Sequence, residues 1–295
     1  MRMLDLFSGI GGFSLAAKWV WGDELEIVAF VEIDKFCQKV LKKHWPEVPI
    51  ISDIREVTVE RIIADTTNAG IEGMRREWEN SVFQIDLICG GFPCQPFSCA
   101  GKRKGRADDR FLWPEMLRVV REVCPTWVIA ENVGGLFTQE QGMVFGQVLS
   151  DLENEGYEVQ PFIIPACGVN APHRRNRVWI IAYSSSKSTN KSMGISKIPI
   201  IQQRCQKFGS EGWEQFELVT EQVAPSKWWT RGLPNPRPLL IRDDDGIPNR
   251  VDRLKALGNS IVPQVAYEIM KGIRNVDNGY HNQSENRAPR QEKTG

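Results

Sequence analysis

The sequence predicts an α/β fold, a doubly wound and mainly parallel sheet, accompanied by a small irregular domain. Three observations lead there. Short apolar runs alternate with helical patterns over the first 183 residues. Several runs end on a carboxylate or a glycine turn, as strands do at the ligand-binding edge of such a sheet. The periodicity lapses over 184–249, which is polar and proline-bearing, and returns at 250.

The elements follow in order. Met3 to Phe7 is the first apolar run; Ser8-Gly9-Ile10-Gly11-Gly12 breaks it, and a helix follows through Trp19. Ile27 to Val31 is the second strand, ending at Glu32. Asp34 can cap a helix whose apolar positions include Phe36, Val40 and Leu41. Pro49-Ile50-Ile51 is a third strand ending at Asp53, and the charged stretch 55–80 suits a surface helix with a loop. The fourth strand spans 85–89 and runs into Gly90-Gly91-Phe92-Pro93-Cys94-Gln95-Pro96-Phe97-Ser98. A helix near 111–123 carries Leu112, Met116, Val119, Val120 and Val123 on one face, with Pro114 in its first turn. Trp127 to Ala130 is the fifth strand, ending at Glu131. A helix at 141–155 leads to strands near 158–164 and 178–182. After residue 250 come Val251 to Leu257, the turn Gly258-Asn259-Ser260 and a helix from Pro263; the tail beyond 275 is polar and expected to be disordered.

Composition limits the function classes. With 37 basic and 37 acidic residues in 295, no global attraction for a polyanion exists, so any nucleic-acid contact must come from local clusters. Seven cysteines, an odd number without a pairing pattern, suit a reducing, cytoplasmic setting. Cys89, Cys94 and Cys99 are spaced more widely than zinc ligands usually are, with no histidine near, so no metal is expected. Asp5 and three glycines interrupt the apolar N-terminal stretch, which argues against a signal peptide, and no run is long enough to span a membrane.

The chemistry concentrates on the strand ends. Cys94 sits on a loop stiffened by prolines, the setting of a positioned nucleophile. Glu131 lies at the same carboxyl edge, where it can exchange a proton with a heteroaromatic nitrogen. Arg175 and Arg177 alternate with His173 onto one face if the last strand begins early. The glycine turn after Phe7, with Gly9 and Gly11, lets a ligand approach the backbone, and Glu32 and Asp53 stand where ribose hydroxyls and an adenine amino group would be met. Such a set suits a nucleoside cofactor without a pyrophosphate. Lys102, Arg103, Lys104 and Arg106 form a basic loop beside the nucleophile, fit to contact phosphates. Taken singly, each feature also suits a solvated charge or an ordinary turn; their co-occurrence carries the reading.

Together the segments Asp5–Phe13, Gly91–Ser98, Glu131–Val133, Arg174–Ala182 and Ala256–Gln264 resemble the bacterial and phage DNA (cytosine-5)-methyltransferase family, in the family's motif order. The resemblance covers about 3–183 and 250–272 and implies a Rossmann-like methyltransferase core over 1–183. It also implies a target-recognition domain over 184–249, a return to the core over 250–275 and a tail over 276–295. It implies S-adenosyl-L-methionine as cofactor and double-stranded DNA as partner. Phe7 would stack on the adenine, Glu32 hold the ribose and Asp53 the adenine amino group. Gly9 and Gly11 would admit the methionine portion, and Asn259 would complete the pocket. Cys94 would add to cytosine C6 and Glu131 protonate N3. Arg177 would contact O2, and Arg175 would support Cys94 or a phosphate. Ser98, Lys102, Arg103, Lys104 and Arg106 would touch DNA around a flipped-out base. His173 departs from the pattern, which has glutamine there. A cytoplasmic monomer is expected, with any cognate restriction endonuclease acting separately. Two rivals remain: a tRNA cytosine-5 methyltransferase on the same core, and a catalytically silent DNA-binding relative. A dinucleotide dehydrogenase fits poorly, because the glycine spacing is not G-x-G-x-x-G.

Overall fold

A computed structural model describes residues 1–68, 84–93, 111–137, 139–171, 173–184 and 250–285. The strands are β1 (Arg2–Leu6), β2 (Glu26–Val31), β3 (Ile50–Ile51), β4 (Leu87–Gly90), β5 (Trp127–Val133), β6 (Tyr157–Pro165) and β7 (Asn176–Ser184). They form one seven-stranded sheet in the order β3-β2-β1-β4-β5-β7-β6. The first five are parallel, and β7 runs antiparallel to both β5 and β6. The described α-helices are α1 (Gly12–Trp21), α2 (Lys35–His44), α3 (Val59–Asn68), α4 (Trp113–Val123), α5 (Met143–Asn154), α6 (Arg250–Asn259) and α7 (Pro263–Glu285). None is long and apolar enough to cross a membrane.

The chain first winds outward through β1, β2 and β3, then crosses back to β4 beside β1. The winding direction reverses between β1 and β4. At such a point the connections leaving the two strand ends diverge and open a crevice. Successive strand residues face opposite sides, and both sides are covered. Leu4, Leu6, Ile88, Val128 and Ala130 pack with α4 and α5, for example against Met116, Val120 and Val148. Met3, Leu87, Cys89, Trp127 and Ile129 pack with α1 and α7, against Phe13, Ala17, Ile269 and Ile273. Burial on both faces is why these strands read as apolar runs rather than alternating ones, with Asp5 the exception in β1, each large side chain contributing roughly 1.5–3 kcal/mol.

Local signals set the helix ends as expected. Asp34 Oδ1 accepts hydrogen bonds from the N–H groups of Phe36 and Cys37, capping α2, and Pro114 occupies the first turn of α4. Two spans differ from the sequence expectation. β5 continues through Glu131 to Val133, because β7 supplies an antiparallel partner as far as Val133 opposite Arg177. The last helix does not stop near 275 but runs to Glu285; Val276 is buried, and the Trp127 indole N–H donates to Asp277 Oδ1 at 3.2 Å. Local polarity suggested a tail, and packing on the sheet overrides it. Of the expected recognition segment 184–249, Ser184 ends β7 and 185–249 lie outside the described residues, as does the basic loop.

Asp5 is a charged group within this core. Its side chain is fully buried beneath α1, where the Ser14 hydroxyl donates to Oδ2 at 2.6 Å. Oδ1 has no hydrogen-bond partner among the described residues. Burial pushes the carboxyl up to about 7, against the Ser14 hydrogen bonds. Below about 7 the folded protein therefore holds Asp5 mainly as the neutral acid, while the unfolded chain ionises it near 3.8. Stability from this group is complete below the unfolded value and is lost as pH rises through about 7. Asp5→Asn is expected to flatten the fall in unfolding free energy across that window by up to about 4 kcal/mol. Urea melts on both sides of the window check this, and an unchanged slope would refute a buried neutral acid.

Candidate active site

The crevice at the carboxyl edge opens into a cavity of about 790 Å³. One wall comes from the β1 turn. Phe7 lines it with φ +52°, a left-handed conformation that is strained for a bulky side chain and costs on the order of 1–3 kcal/mol. The turn is held by Ser8, whose N–H donates to Val31 O at 3.0 Å and whose hydroxyl donates to Asp5 O at 2.6 Å. Gly9 follows at φ +55°, and a Cβ placed there would meet no atom within 4 Å, so its face is open to the cavity.

The β2 turn supplies the next wall. Glu32 is largely buried, and desolvation raises its carboxyl above the usual range, against hydrogen bonds from Asp34 N–H and Gly9 N–H. Gly9 N–H donates to Oε2 and Asp34 N–H to Oε1, each at 2.7 Å. The carboxylate, with four lone pairs, keeps acceptor capacity for a ligand hydroxyl. Beside it Ile33 is 71% exposed, an apolar side chain left free on the cavity wall. Asp53 lines the cavity after β3; its Oδ1 accepts from Arg55 N–H at 2.9 Å.

The opposite end is built by β4, β5 and β7. Glu131 pairs with Trp179 across the β5–β7 ladder, and Arg177 pairs with Val133 two positions on, so alternation puts Arg177 and Glu131 on one face. Arg177 Nε lies 2.8 Å from Glu131 Oε1, but its N–H is not aimed at that oxygen, making the contact an ion pair without a linear hydrogen bond. Burial pushes the Glu131 carboxyl up to about 7, against the pull of Arg177 and Arg175. A Cβ on Gly91 would come within 3.2 Å of Glu131 Oε2, so the glycine leaves room for this carboxyl at the root of the cysteine loop. That root is pinned: Asn132 Nδ2 donates to Phe92 O at 2.9 Å, and Phe92 packs on Trp113.

The chain then returns through α6. Asn259, its last residue, lines the cavity with Lys255 and Gly258. Arg175 Nη2 donates to Gly258 O at 2.7 Å and to Ser260 O at 2.6 Å, binding the helix's C-terminal carbonyls. A Cβ on Gly12 would lie 2.7 Å from Ile261 Cγ1, so this connector rests directly on the start of α1.

Phe7, Gly9, Glu32, Asp53, Asn259 and Arg177 thus share one cavity, with Glu131 against its Gly91 wall. Gly11 does not join them. Its φ is +84°, and a Cβ there would lie 2.6 Å from the Trp45 ring, so packing on α2 requires this glycine. The expected alternation of 173, 175 and 177 is also absent. β7 starts only at Asn176, and Arg175 sits at φ +34°, which turns its side chain to the α6–α7 connector. Cys94, Ser98, Lys102, Arg103, Lys104 and Arg106 lie outside the described residues. Sequence reasoning missed the anchoring amide of Asn132 and the contact of Lys255 with Asp34; neither has a local signal, since each partner is remote in the chain.

A family model described as C-5 cytosine-specific DNA methylase matches residues 1–228. Type II methyltransferase M1.ScrFI of Lactococcus lactis subsp. cremoris is 32% identical over 192 residues, 65% of this chain and 43% of that protein. Type II methyltransferase M.HhaI of Haemophilus parahaemolyticus is 32% identical over 184 residues, 62% of this chain and 49% of that protein. The chain therefore spans about half the length of the curated relatives it matches. Two solved structures share the fold. A mutant of Spodoptera frugiperda DNMT2 has a TM-score of 0.56 at 19% identity, covering 92% of this chain and 98% of that one. The Dnmt2 methyltransferase of S. pombe has a TM-score of 0.55 at 18% identity, covering 94% and 99%. With a family model matching most of its length, and with the strand-end carboxylates gathered on one crevice, the chain belongs to the C-5 cytosine-specific DNA methylase family.

Proposed function

We propose that this chain methylates C5 of cytosine in a short double-stranded DNA sequence, with S-adenosylmethionine as donor. The observation that carries the reading is Glu131, a buried carboxyl raised to about 7 beside an arginine and the root of the cysteine loop. A group ionising near neutrality can hold a proton and release it at working pH.

The cavity fits an adenosyl ligand. Phe7 and Ile33 offer apolar surface for the adenine, Asp53 an acceptor for its amino group, and Glu32 free lone pairs for ribose hydroxyls. Gly9 leaves the turn open to a close approach, and Asn259 offers a side-chain amide from the returning helix. When bound, S-adenosylmethionine supplies an electrophilic methyl group on a sulfonium.

The chain's residues ready the base to accept it. C5 of cytosine is a poor nucleophile. The Cys94 thiolate adds to C6, forming an S–C6 bond and giving C5 enamine character. A free thiol near pKa 8.5 is only a few per cent ionised at about pH 7, so nearby guanidinium groups matter. Negative charge arriving on the ring is relieved when protonated Glu131 gives its proton to N3. Arg177, paired with Glu131, would contact O2, and Arg175 would act from behind, since it holds the Gly258 and Ser260 carbonyls. Once C5 carries the methyl group, a base, such as water, removes the C5 proton, the S–C6 bond breaks with expulsion of the thiolate, and N3 returns its proton to Glu131. The base must leave the duplex for this, at a cost of a few kcal/mol that pocket contacts offset.

Bisulfite sequencing of plasmid DNA from cells expressing the chain tests the reading. Protected cytosines in one short motif are the expected result. A soluble protein that binds S-adenosylmethionine and protects no cytosine in DNA, but methylates tRNA, would replace the substrate.

A further inference from the structure

Among the described residues, α6 meets the body through little apolar surface. Ala256 is its one buried residue from 251 to 259, while Val251, Leu254 and Leu257 are exposed. What holds it among the described residues is polar. At its C-terminus Arg175 binds the Gly258 and Ser260 carbonyls. One turn earlier, Lys255 Nζ donates to Asp34 Oδ2 at 2.7 Å, across 221 residues of chain.

This second tie joins two parts of the cavity lining. Lys255, Gly258 and Asn259 from α6 and Glu32, Ile33 and Asp34 from the β2 turn all line the cavity. Asp34 divides its carboxylate between two tasks: Oδ1 caps α2 and Oδ2 receives the lysine. Its own N–H donates to Glu32 Oε1, so a shift of Asp34 is felt at the carboxylate facing the nucleoside end. The lysine hydrogen bond holds the Asp34 carboxyl below its ordinary range, and Lys255 is raised in return, so both stay charged.

We propose that α6 is a hinged cover of this cavity, anchored by Arg175 and latched by the Lys255–Asp34 ion pair, and that the latch sets how fast the adenosyl ligand exchanges. The ligand half of this rests on the S-adenosylmethionine reading; the latch itself does not. Lys255 and Asp34 are positioning residues that act through α6 and Glu32. The pair is solvent-exposed, so its effect is modest and weakens with salt.

The test uses the full chain with Asp34→Asn, Lys255→Met, the double variant and Lys255→Arg. Asparagine caps a helix as well as aspartate does, so Asp34→Asn removes the latch and leaves α2 capped. Hydrogen exchange of ligand-free protein reads α6 directly. Stopped-flow release of S-adenosylmethionine, at about 50 mM and about 500 mM salt, reads the ligand. Expected is faster exchange over 250–259 with α1 unchanged, and roughly two- to five-fold faster release at low salt. The difference should fade at high salt, the double variant should be no worse than either single one, and Lys255→Arg should behave as wild type. The cofactor KM should rise by a larger factor than the turnover rate at saturating cofactor changes. Unchanged α6 exchange in both single variants overturns the latch, as does an additive double variant. A wild-type chain that fails to bind S-adenosylmethionine overturns the ligand half, and the exchange data still decide the latch.

Discussion

Replacing Cys94 with alanine is expected to abolish turnover, by about 10⁴-fold or more, while S-adenosylmethionine affinity stays within error. Losses of that order follow removal of an attacking nucleophile, because the remaining groups cannot supply the covalent step. The described residues that lead into the loop are held in place. Asn132 fixes the Phe92 carbonyl, Phe92 is buried against Trp113, and Leu112 N–H reaches Pro93 O at 3.4 Å, so the loop departs from a fixed point. The cavity residues Phe7, Gly9, Glu32 and Asp53 belong to the turns after β1, β2 and β3, far from position 94 in the chain. Isothermal titration for the cofactor, together with methyl incorporation into duplex DNA, separates the two quantities. Full activity in Cys94→Ala would end the nucleophile assignment.

Glu131→Gln is expected to slow methyl transfer by about 10²–10⁴-fold and to change DNA affinity far less. Glutamine keeps the shape and can still donate an N–H, but it cannot hand over a proton. The pH profile gives an independent check. Burial raises the Glu131 carboxyl to about 7, so its protonated form is present below that value and is lost as pH rises through it. The wild-type rate of the chemical step should fall along that limb, and the variant should lack it. Because the substitution also leaves Arg177 without its ion-pair partner, melting temperature is measured alongside as a control on folding. Equal losses in DNA binding and in methyl transfer would argue against proton donation to the ring.

Much of the sheet was legible in the chain because its signals are local. Residues 27–31 and 127–130 are apolar without alternation, and 3–7 and 85–89 nearly so apart from Asp5 and Asp86, the mark of strands covered on both faces; all lie in or beside observed strands. Asp34 caps its helix and Pro114 begins one, since both effects act within a single turn. The strand-end carboxylates Glu32, Asp53 and Glu131 were also legible, because a parallel sheet sends its carboxyl ends to one edge.

The sequence by itself determined the element order, the helix starts and the residues offered at the carboxyl edge, all of which depend on neighbours a few positions away. Only the tertiary structure decided what those residues meet. It turned Arg175 from the strand face to the α6 carbonyls, gave Gly11 to Trp45 and extended β5 through Glu131 by pairing it with β7. It also joined Lys255 to Asp34 and buried the carboxyls of Asp5 and Glu131 deeply enough to raise both to about 7. The reason is common to all of these: a local pattern specifies an element, but desolvation and contact depend on which distant elements the sheet order places beside it.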